Sequence, residues 1–260
     1  MKKGICFGSL PSSLPLRRRL ELAKEFGIDG IEAPAFETQQ EAEELAEICA
    51  DLGLEIHSVM GGTHWRLPLS ATDEQMRQQG VEGIRHALHV AKWVGAECVL
   101  VVPAVVNEDV SYAAAWEISQ KSIRELLPTA EELGVMMLIE NVWNKFLLSP
   151  LEMRDYVDSF DHPLIGAYFD VGNIIAYGFP RHWIETLGSR IKRVHVKGFD
   201  ANKHQFVPLL AGTIDWPRVV AALRGIGYDS YITAEVPPYK HFPETFIRHV
   251  AEALDAIVNA

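Results

Sequence analysis

The length, composition and charge of the chain set the first limits on its class. It has 260 residues, of which 48% are hydrophobic and 23% are charged. This composition is typical of a globular chain and excludes a disordered one. The 24 basic and 35 acidic residues give a net charge of −11. That balance disfavours nucleic acid as a partner, because a general nucleic-acid binder needs a basic surface.

The cysteines and the apolar runs bear on the compartment. Cys6, Cys49 and Cys98 are far apart and lack C-x-x-C spacing, which argues against a disulfide framework and a cysteine-built zinc site. The apolar stretch in MKKGICFGSLPSS is too short for a signal peptide. The longest apolar run, 98–106, falls well short of the ~20 residues that span a bilayer. We therefore expect a cytoplasmic protein without a membrane partner.

Short β-branched runs alternate with segments of helical periodicity along the whole chain. Segments such as LRRRLELAKEFG and TQQEAEELAEICADLG combine apolar residues at helical spacing with strong helix formers. Several helices end in a glycine, which takes the left-handed cap conformation without steric cost. These glycines are Gly27, Gly53, Gly95, Gly134 and Gly227. The predicted strands are ICFG (5–8), GIEA (30–33), EIHSVM (55–60), CVLVVPA (98–104), VMMLIE (135–140), LIGAYFD (164–170), IKRVHVK (191–197) and YITAEV (231–236).

The repeat of strand, helix, glycine and strand predicts the fold class. The strands are continuous apolar runs, which is typical of a parallel sheet covered by helices. Eight β-α units in about 250 residues match an α/β fold with a closed (β/α)8 TIM barrel. A doubly wound open sheet is the alternative, but FGSLPSS does not match its G-x-G-x-x-G fingerprint. No linker divides the chain, so we expect a single TIM-barrel domain over residues 1–260.

Titratable residues lie at or near the ends of the last four predicted strands. They are Glu140 in LIENVWN, Asp170 in AYFDVGN, His195 in RVHVKG and Glu235 in ITAEVPP. The carboxyl ends of the strands carry the chemistry in such barrels. Each residue alone could cap a helix or join a surface ion pair. Together the carboxylates would repel one another, and a bound divalent cation removes that cost.

The donor set indicates which cation to expect. Three carboxylates and one imidazole favour Mn²⁺, Mg²⁺ or Co²⁺ over a thiolate-type zinc site. We expect one divalent metal ion, with Mn²⁺ first and Mg²⁺, Co²⁺ or Zn²⁺ as alternatives.

The segments around these residues resemble those of a known family. They are similar to the xylose isomerase-like TIM-barrel superfamily, and within it to sugar-phosphate isomerases and epimerases, including ketose 3-epimerases and L-xylulose-5-phosphate 3-epimerases. The resemblance implies that Glu140, Asp170, His195 and Glu235 bind one divalent metal ion, and that both glutamates also move protons. Four segments carry the resemblance, namely IENVWNKFLLSP (139–150), YFDVGN (168–173), RIKRVHVKGF (190–199) and AGTIDWPRVVAALRGIGYDSYITAE (211–235).

Two positions depart from the tagatose-type ketose 3-epimerases. Those enzymes commonly have a histidine three residues after the aspartate and an arginine six residues after the metal-binding histidine. This chain has Asn173 and Ala201 at these positions. The DVGN sequence is common among phosphopentulose and inositol-pathway relatives, so the resemblance moves toward those subfamilies.

The expected chemistry is proton transfer next to a carbonyl group. Removing such a proton requires stabilisation of an enediolate, which a metal ion supplies as a Lewis acid. Epimerisation then needs two groups on opposite faces of one carbon. Glu140 and Glu235 come from strands three steps apart around the barrel and can flank a substrate. We therefore predict a metal-dependent isomerase or epimerase of a ketose or ketose phosphate, with C3 epimerisation as the expected reaction.

Five further residues are predicted to contact the substrate. His64 offers a hydrogen bond and Trp65 a stacking face, although Trp65 could instead anchor its loop in the core. Trp143 follows Glu140 and would wall the site, and Asn173 occupies the position discussed above. Lys197 shares a strand face with His195 and would contact a substrate oxygen or phosphate, the alternative being a buried ion pair with a carboxylate.

Three other functions stay open at this point. A metal-dependent dehydratase or lyase acting on a keto-inositol or an oxidised sugar begins with the same enediolate. An apurinic-site endonuclease uses three metal ions and needs a histidine where Asn173 stands. A non-catalytic sugar-binding protein would be expected to lose one of the two glutamates. We expect a small sugar or sugar phosphate as the partner, and a homodimer because such assemblies are the commonest.

Overall fold

Eight parallel strands close into a barrel whose strand order follows the chain. This computed structural model describes residues 1–260. Each strand pairs with the next, and the last pairs with β1 to close the barrel. The predicted TIM barrel is confirmed. The barrel strands are β1 (Lys2–Cys6), β2 (Gly30–Pro34), β3 (Glu55–Met60), β4 (Cys98–Val101), β5 (Met136–Glu140), β6 (Ile165–Asp170), β7 (Ile191–Val196) and β10 (Tyr231–Ala234).

Helices cover the outside of the barrel, and one hairpin interrupts the repeat. The antiparallel strands β8 (Gly198–Asp200) and β9 (Gln205–Val207) follow β7 directly. No helix is both long enough and apolar enough to cross a membrane. The helices are α1 (Leu16–Glu25), α2 (Gln39–Leu52), α3 (Glu74–Val94), α4 (Tyr112–Leu133), α5 (Pro150–Asp158), α6 (Val171–Ile174), α7 (Pro180–Leu187), α8 (Trp216–Gly225) and α9 (Pro243–Val258).

Capping residues in the sequence determine where the long helices begin and end. Thr38 and Ser149 each form a capping box with the glutamate three residues later, which satisfies backbone N–H groups at the helix start. Gly53 and Gly95 end α2 and α3 in the left-handed conformation. All five glycines predicted as helix ends have positive φ. These signals fix the helix bounds and so deliver each following strand to the barrel at a defined point.

Buried apolar side chains hold the helices against the barrel. A cluster of 69 buried hydrophobic residues joins strands and helices into one core. Burial of this apolar surface is the main favourable contribution to folding. The barrel thereby becomes a rigid frame for the side chains at the carboxyl ends of its strands.

The strand bounds differ most from the sequence prediction at the first and fourth strands, and the structure adds a hairpin. The first strand covers 2–6 rather than 5–8, because Phe7–Ser9 turns into a 3₁₀ helix. The fourth strand ends at Val101 instead of residue 104, and the hairpin β8–β9 was not predicted. Apolar composition continues past the end of pairing in the first two cases. The hairpin strands have only three residues each, too few for a periodic signal.

Candidate active site

The structure brings Glu140, Asp170, His195 and Glu235 together at the carboxyl end of the barrel. Glu140 and Asp170 are the last residues of β5 and β6, His195 is in β7, and Glu235 follows β10. One ligand atom from each of the four lies within 4.8 Å of the others. The register explains the convergence, because Asp170 pairs with His195 across β6 and β7. Neighbouring parallel strands place such paired residues side by side.

Local hydrogen bonds hold the aspartate at the end of its strand. The backbone N–H of Asn173 donates to Asp170 Oδ1 at 2.7 Å. The Asn141 side chain accepts from the Asp170 N–H at 2.9 Å and donates to the Asp170 carbonyl oxygen at 2.8 Å. These bonds begin the short helix α6 and fix the carboxylate in the cluster.

Burial and neighbouring charges give the three carboxyl groups different pKa values. Burial raises the pKa of Glu140 to about 7 and also raises the pKa of Asp170. Burial acts the same way on Glu235, but His195 and Lys197 outweigh it and lower its pKa. The cluster therefore concentrates acidic groups whose ionised forms need a nearby positive charge.

The cluster has the donor chemistry of a divalent metal site, and one of its buried carboxylate oxygens accepts no hydrogen bond. Asp170 Oδ2 is buried without a hydrogen-bond partner. Lys197 Nζ lies 2.9 Å from this oxygen and forms an ion pair with it. Three carboxylates and one imidazole nitrogen are the ligands that Mn²⁺, Mg²⁺ and related cations accept. The residues present therefore fit such a cation.

Lys197 lies inside the site as an ion-pair partner. Its ammonium group pairs with both Asp170 and Glu235, and these carboxylates keep the lysine pKa raised against the opposing effect of burial. The ion pair that the sequence left as an alternative is thus present.

Three residues that the sequence prediction missed lie on the other side of His195. Glu32 Oε2 is 2.6 Å from His195 Nε2, and the Cys6 thiol donates to the same oxygen at 3.0 Å. Ser58 Oγ donates to Glu32 Oε1 at 3.1 Å. Burial would raise the pKa of Glu32, but His195 outweighs it and lowers the value to about 2. The one available signal was an acidic residue inside the apolar run GIEA.

A cavity of about 520 Å³ opens above the cluster. Glu235, Lys197 and Glu32 are its charged lining residues, and Phe7, Met60 and Phe206 contribute apolar wall. This volume falls in the usual range for small-molecule sites.

Two of the predicted substrate contacts, Trp143 and Asn173, lie beside the cluster but do not line the cavity. Trp143 is 45% exposed and donates from Nε1 to the Asn173 carbonyl oxygen at 2.8 Å. Its ring also packs against Phe206 of the hairpin. Asn173 is buried, and its side-chain amide donates to the Asn141 carbonyl oxygen at 3.0 Å. The amide of Asn173 is therefore already engaged with the backbone.

The other two, His64 and Trp65, lie on the loop after β3. Trp65 is 59% exposed and packs edge-on against His64, so it does not anchor the loop in the core. His64 Nδ1 is 2.9 Å from the Gly61 carbonyl oxygen. Burial lowers the pKa of His64, and the charge of Glu235 opposes this shift. Neither side chain lines the cavity in this structure.

Comparison with known proteins defines the class to which this fold and site belong. Residues 20–257 match the model of the xylose isomerase-like TIM barrel family, so the chain belongs to that family. The family predicted from the sequence is confirmed.

Particular relatives carry the names of sugar epimerases. The L-ribulose-5-phosphate 3-epimerase UlaE of Escherichia coli O1:K1 / APEC is 26% identical over 240 residues, covering 86% of this chain and 83% of UlaE. A solved D-tagatose 3-epimerase-like protein has a TM-score of 0.84 at 22% identity, covering 100% of this chain and 98% of that one. The IolI protein with a bound zinc atom has a TM-score of 0.81 at 19% identity, covering 100% and 98%. The name of the UlaE relative supports the predicted isomerase or epimerase class, and the two solved structures share the fold.

Proposed function

We propose that the protein is a divalent-metal-dependent epimerase that inverts C3 of a ketose or ketose phosphate. The observation that carries the proposal is the position of Glu140 and Glu235. They enter one cluster from strands three steps apart around the barrel, with β6 and β7 between them. Epimerisation needs one group to remove a proton and another to return one on the opposite face. The name of the UlaE relative, an L-ribulose-5-phosphate 3-epimerase, is consistent with this reaction.

Glu140, Asp170, His195 and Glu235 would hold the cation, for which Mn²⁺ is our first choice. A cation bound there supplies positive charge to the carbonyl and hydroxyl oxygens of the substrate as a Lewis acid. The solved IolI structure, which contains zinc, belongs to the same fold. This similarity supports the presence of a metal ion and leaves its identity to experiment.

The two glutamates have different access to the substrate. The Glu235 side chain is 34% exposed and lines the cavity, whereas the Glu140 side chain is 6% exposed. Glu235 would therefore exchange a proton with the substrate from the open side. Glu140 would do so from the floor of the site.

Other residues would orient the substrate and limit water access. Lys197 lines the cavity, and its ammonium would offset the charge of Asp170 and Glu235 and contact a substrate oxygen. The exposed face of Trp143 and the ring of Phe206 would pack against the carbon skeleton of the sugar. His64, Trp65 and Asn173 stay predicted substrate contacts.

The proposal is tested by incubating the Mn²⁺-loaded protein in D₂O with a panel of ketoses and ketose phosphates. We expect one substrate to yield its C3 epimer with deuterium at C3, as read by NMR. Deuterium at C1 with formation of an aldose would contradict epimerisation and indicate a 1,2-isomerase. Loss of water from the substrate would indicate the dehydratase alternative. No exchange with any sugar would contradict both the epimerase and the dehydratase.

A further inference from the structure

Both ring nitrogens of His195 face a carboxylate, on opposite sides of the imidazole. Nδ1 is 3.0 Å from Glu140 Oε1 and 3.8 Å from Glu235 Oε2. Nε2 is 2.6 Å from Glu32 Oε2. The imidazole therefore lies between the candidate metal cluster and a separate carboxylate that belongs to β2.

Barrel register holds Glu32 in place. Glu32 pairs with Cys6 of β1 on one side and with Ser58 of β3 on the other. Both neighbours donate hydrogen bonds to its carboxylate, the thiol to Oε2 and the hydroxyl to Oε1. Glu32 is only 1% exposed and therefore has little freedom to move away from His195.

We propose that Glu32 is a positioning residue that keeps the proton of His195 on Nε2 and directs the Nδ1 lone pair at the metal cluster. An ionised carboxylate only accepts hydrogen bonds, and the contact of Nε2 with Glu32, at 2.6 Å, is shorter than the 3.0 Å contact of Nδ1 with Glu140. The ring therefore donates from Nε2. A neutral imidazole that donates from one nitrogen offers the other as a ligand. Carboxylates in this arrangement fix the orientation of a metal-binding histidine and increase its basicity. The inference rests on the metal centre proposed above.

A second metal site at Cys6, Glu32 and His195 is the competing interpretation, since their ligand atoms also lie close together. In that trio, however, both Glu32 oxygens already accept hydrogen bonds from protein donors. In the main cluster, Asp170 Oδ2 accepts no hydrogen bond and has only its ion pair with Lys197. The hydrogen bonds favour a support for His195, and the number of metal ions bound distinguishes the two interpretations.

The test measures Mn²⁺ binding by isothermal titration calorimetry in the full-length protein and three variants. Glu32→Ala removes the acceptor, and we expect the Kd for Mn²⁺ to rise by about 10- to 100-fold. Glu32→Gln retains a neutral oxygen acceptor and should weaken binding less. Thr233→Val is the matched control: Thr233 is also buried in the barrel, but its hydroxyl contacts His57 and not His195. The control should bind Mn²⁺ with unchanged affinity.

A second measurement reads the ring proton directly. Long-range ¹H–¹⁵N NMR of the histidines in the Zn²⁺-loaded wild-type protein should show His195 protonated on Nε2, with the far-downfield proton signal of a hydrogen bond to a carboxylate. A metal ion on Nδ1 leaves the proton on Nε2 in any case, so the downfield position is the evidence for Glu32, and it can be read even if Glu32→Ala fails to fold. Where the variant does fold, the downfield Nε2–H signal should shift or disappear.

The possible results distinguish the role of Glu32 from the proposed metal centre itself. Equal Mn²⁺ affinity of wild type and Glu32→Ala, or an unprotonated Nε2 in the wild type, would overturn the role of Glu32. Two metal ions bound per chain would overturn it in favour of the second site. Failure of the wild type itself to bind any metal would instead refute the proposed metal centre.

Discussion

Nearly every ionisable side chain beneath the cavity is buried beside a partner. Glu32 faces His195, and Lys197 pairs with Asp170 and Glu235. Removing one member of a buried ion pair typically costs about 3–5 kcal/mol, because the other charge stays buried without compensation. Asp170 Oδ2 is buried and accepts no hydrogen bond, and its ion pair with Lys197 is the contact that offsets its charge.

His57 shows how a buried residue outside the cluster links stability to pH. Its ring stacks on Tyr231, and its two nitrogens contact the hydroxyl groups of Ser58 and Thr233 at 3.0 and 3.2 Å. Burial, with a further contribution from Arg193, lowers its pKa to about 3. The unfolded chain protonates this histidine as the pH falls through about 6.5. The folded protein keeps it neutral until the pH approaches 3.

We predict that His57 makes folding less stable as the pH falls below 6.5. The unfolded state then binds a proton that the folded state does not take up until about pH 3, so stability is complete above 6.5 and decreases on acidification. Between pH 7.5 and 5.5, wild type should lose about 1.4 kcal/mol more unfolding free energy than His57→Gln. Urea unfolding at both pH values measures this difference. An identical loss in the two proteins would show that His57 does not contribute.

At the scale of elements, the short helix α6 holds the end of β7 in place. Gly172 of α6 packs so closely that a Cβ atom there would lie 2.8 Å from the Lys197 carbonyl oxygen. No real Cβ atom approaches a backbone oxygen that closely, so either α6 or the segment after β7 would have to move. Asp170 caps α6, and Lys197 follows β7, which means that such a movement would disturb the cluster.

We predict that Gly172→Ala lowers kcat/KM by about 10- to 100-fold, since displacements near 1 Å cost as much in other enzymes. Gly225→Ala is the matched control, because nothing lies within 4 Å of a Cβ atom at Gly225, and it should retain wild-type kinetics. Steady-state assays on the substrate found by NMR, with Mn²⁺ in excess, compare the two variants. Wild-type kinetics in Gly172→Ala would show that α6 accommodates the added methyl group without disturbing the cluster.

The elements with a periodic signal could be predicted from the sequence. Glu140 and Asp170 end strands in the prediction and in the structure, and the glycine helix ends at Gly53 and Gly95 have the expected conformation. Continuous apolar runs and glycine caps are local features, so the residues that form them indicate them directly.

Contacts that depend on barrel closure were not predictable in this way. Glu32 and His195 are 163 residues apart in the chain, and only the closed barrel places them side by side. The hydrogen bond from the Asn173 side-chain amide to the Asn141 carbonyl oxygen depends equally on how α6 packs against the end of β5. Sequence spacing carries no signal for either contact.

For the molecule as a whole, barrel closure creates a site that the unfolded chain cannot form. The four residues of the cluster span positions 140 to 235, and three of them are acidic in a chain of net charge −11. A metal ion that binds only the folded protein stabilises it by mass action, by about 2.7 kcal/mol at a concentration of 100 times its Kd.

We predict that Mn²⁺ at that concentration raises the Tm of the EDTA-treated protein by about 5–10 °C, given the size of the chain. Differential scanning calorimetry with and without Mn²⁺ measures the shift. Asp170→Asn, which removes one carboxylate from the cluster, is the control and should gain much less. The same Tm with and without Mn²⁺ would contradict a metal site in the folded protein.

The two-glutamate proton transfer is tested most directly by deuterium exchange in Glu140→Gln and Glu235→Gln under saturating Mn²⁺. The amide retains the shape and one ligand oxygen of the carboxylate but cannot accept or return a proton. Glu131→Gln, which changes an exposed carboxylate on α4, is the control and should behave like wild type. We predict that epimerisation falls by about 10²- to 10⁴-fold in both site variants. In at least one of them, exchange at C3 should disappear as well. Epimerisation at a near wild-type rate in either site variant would contradict the account.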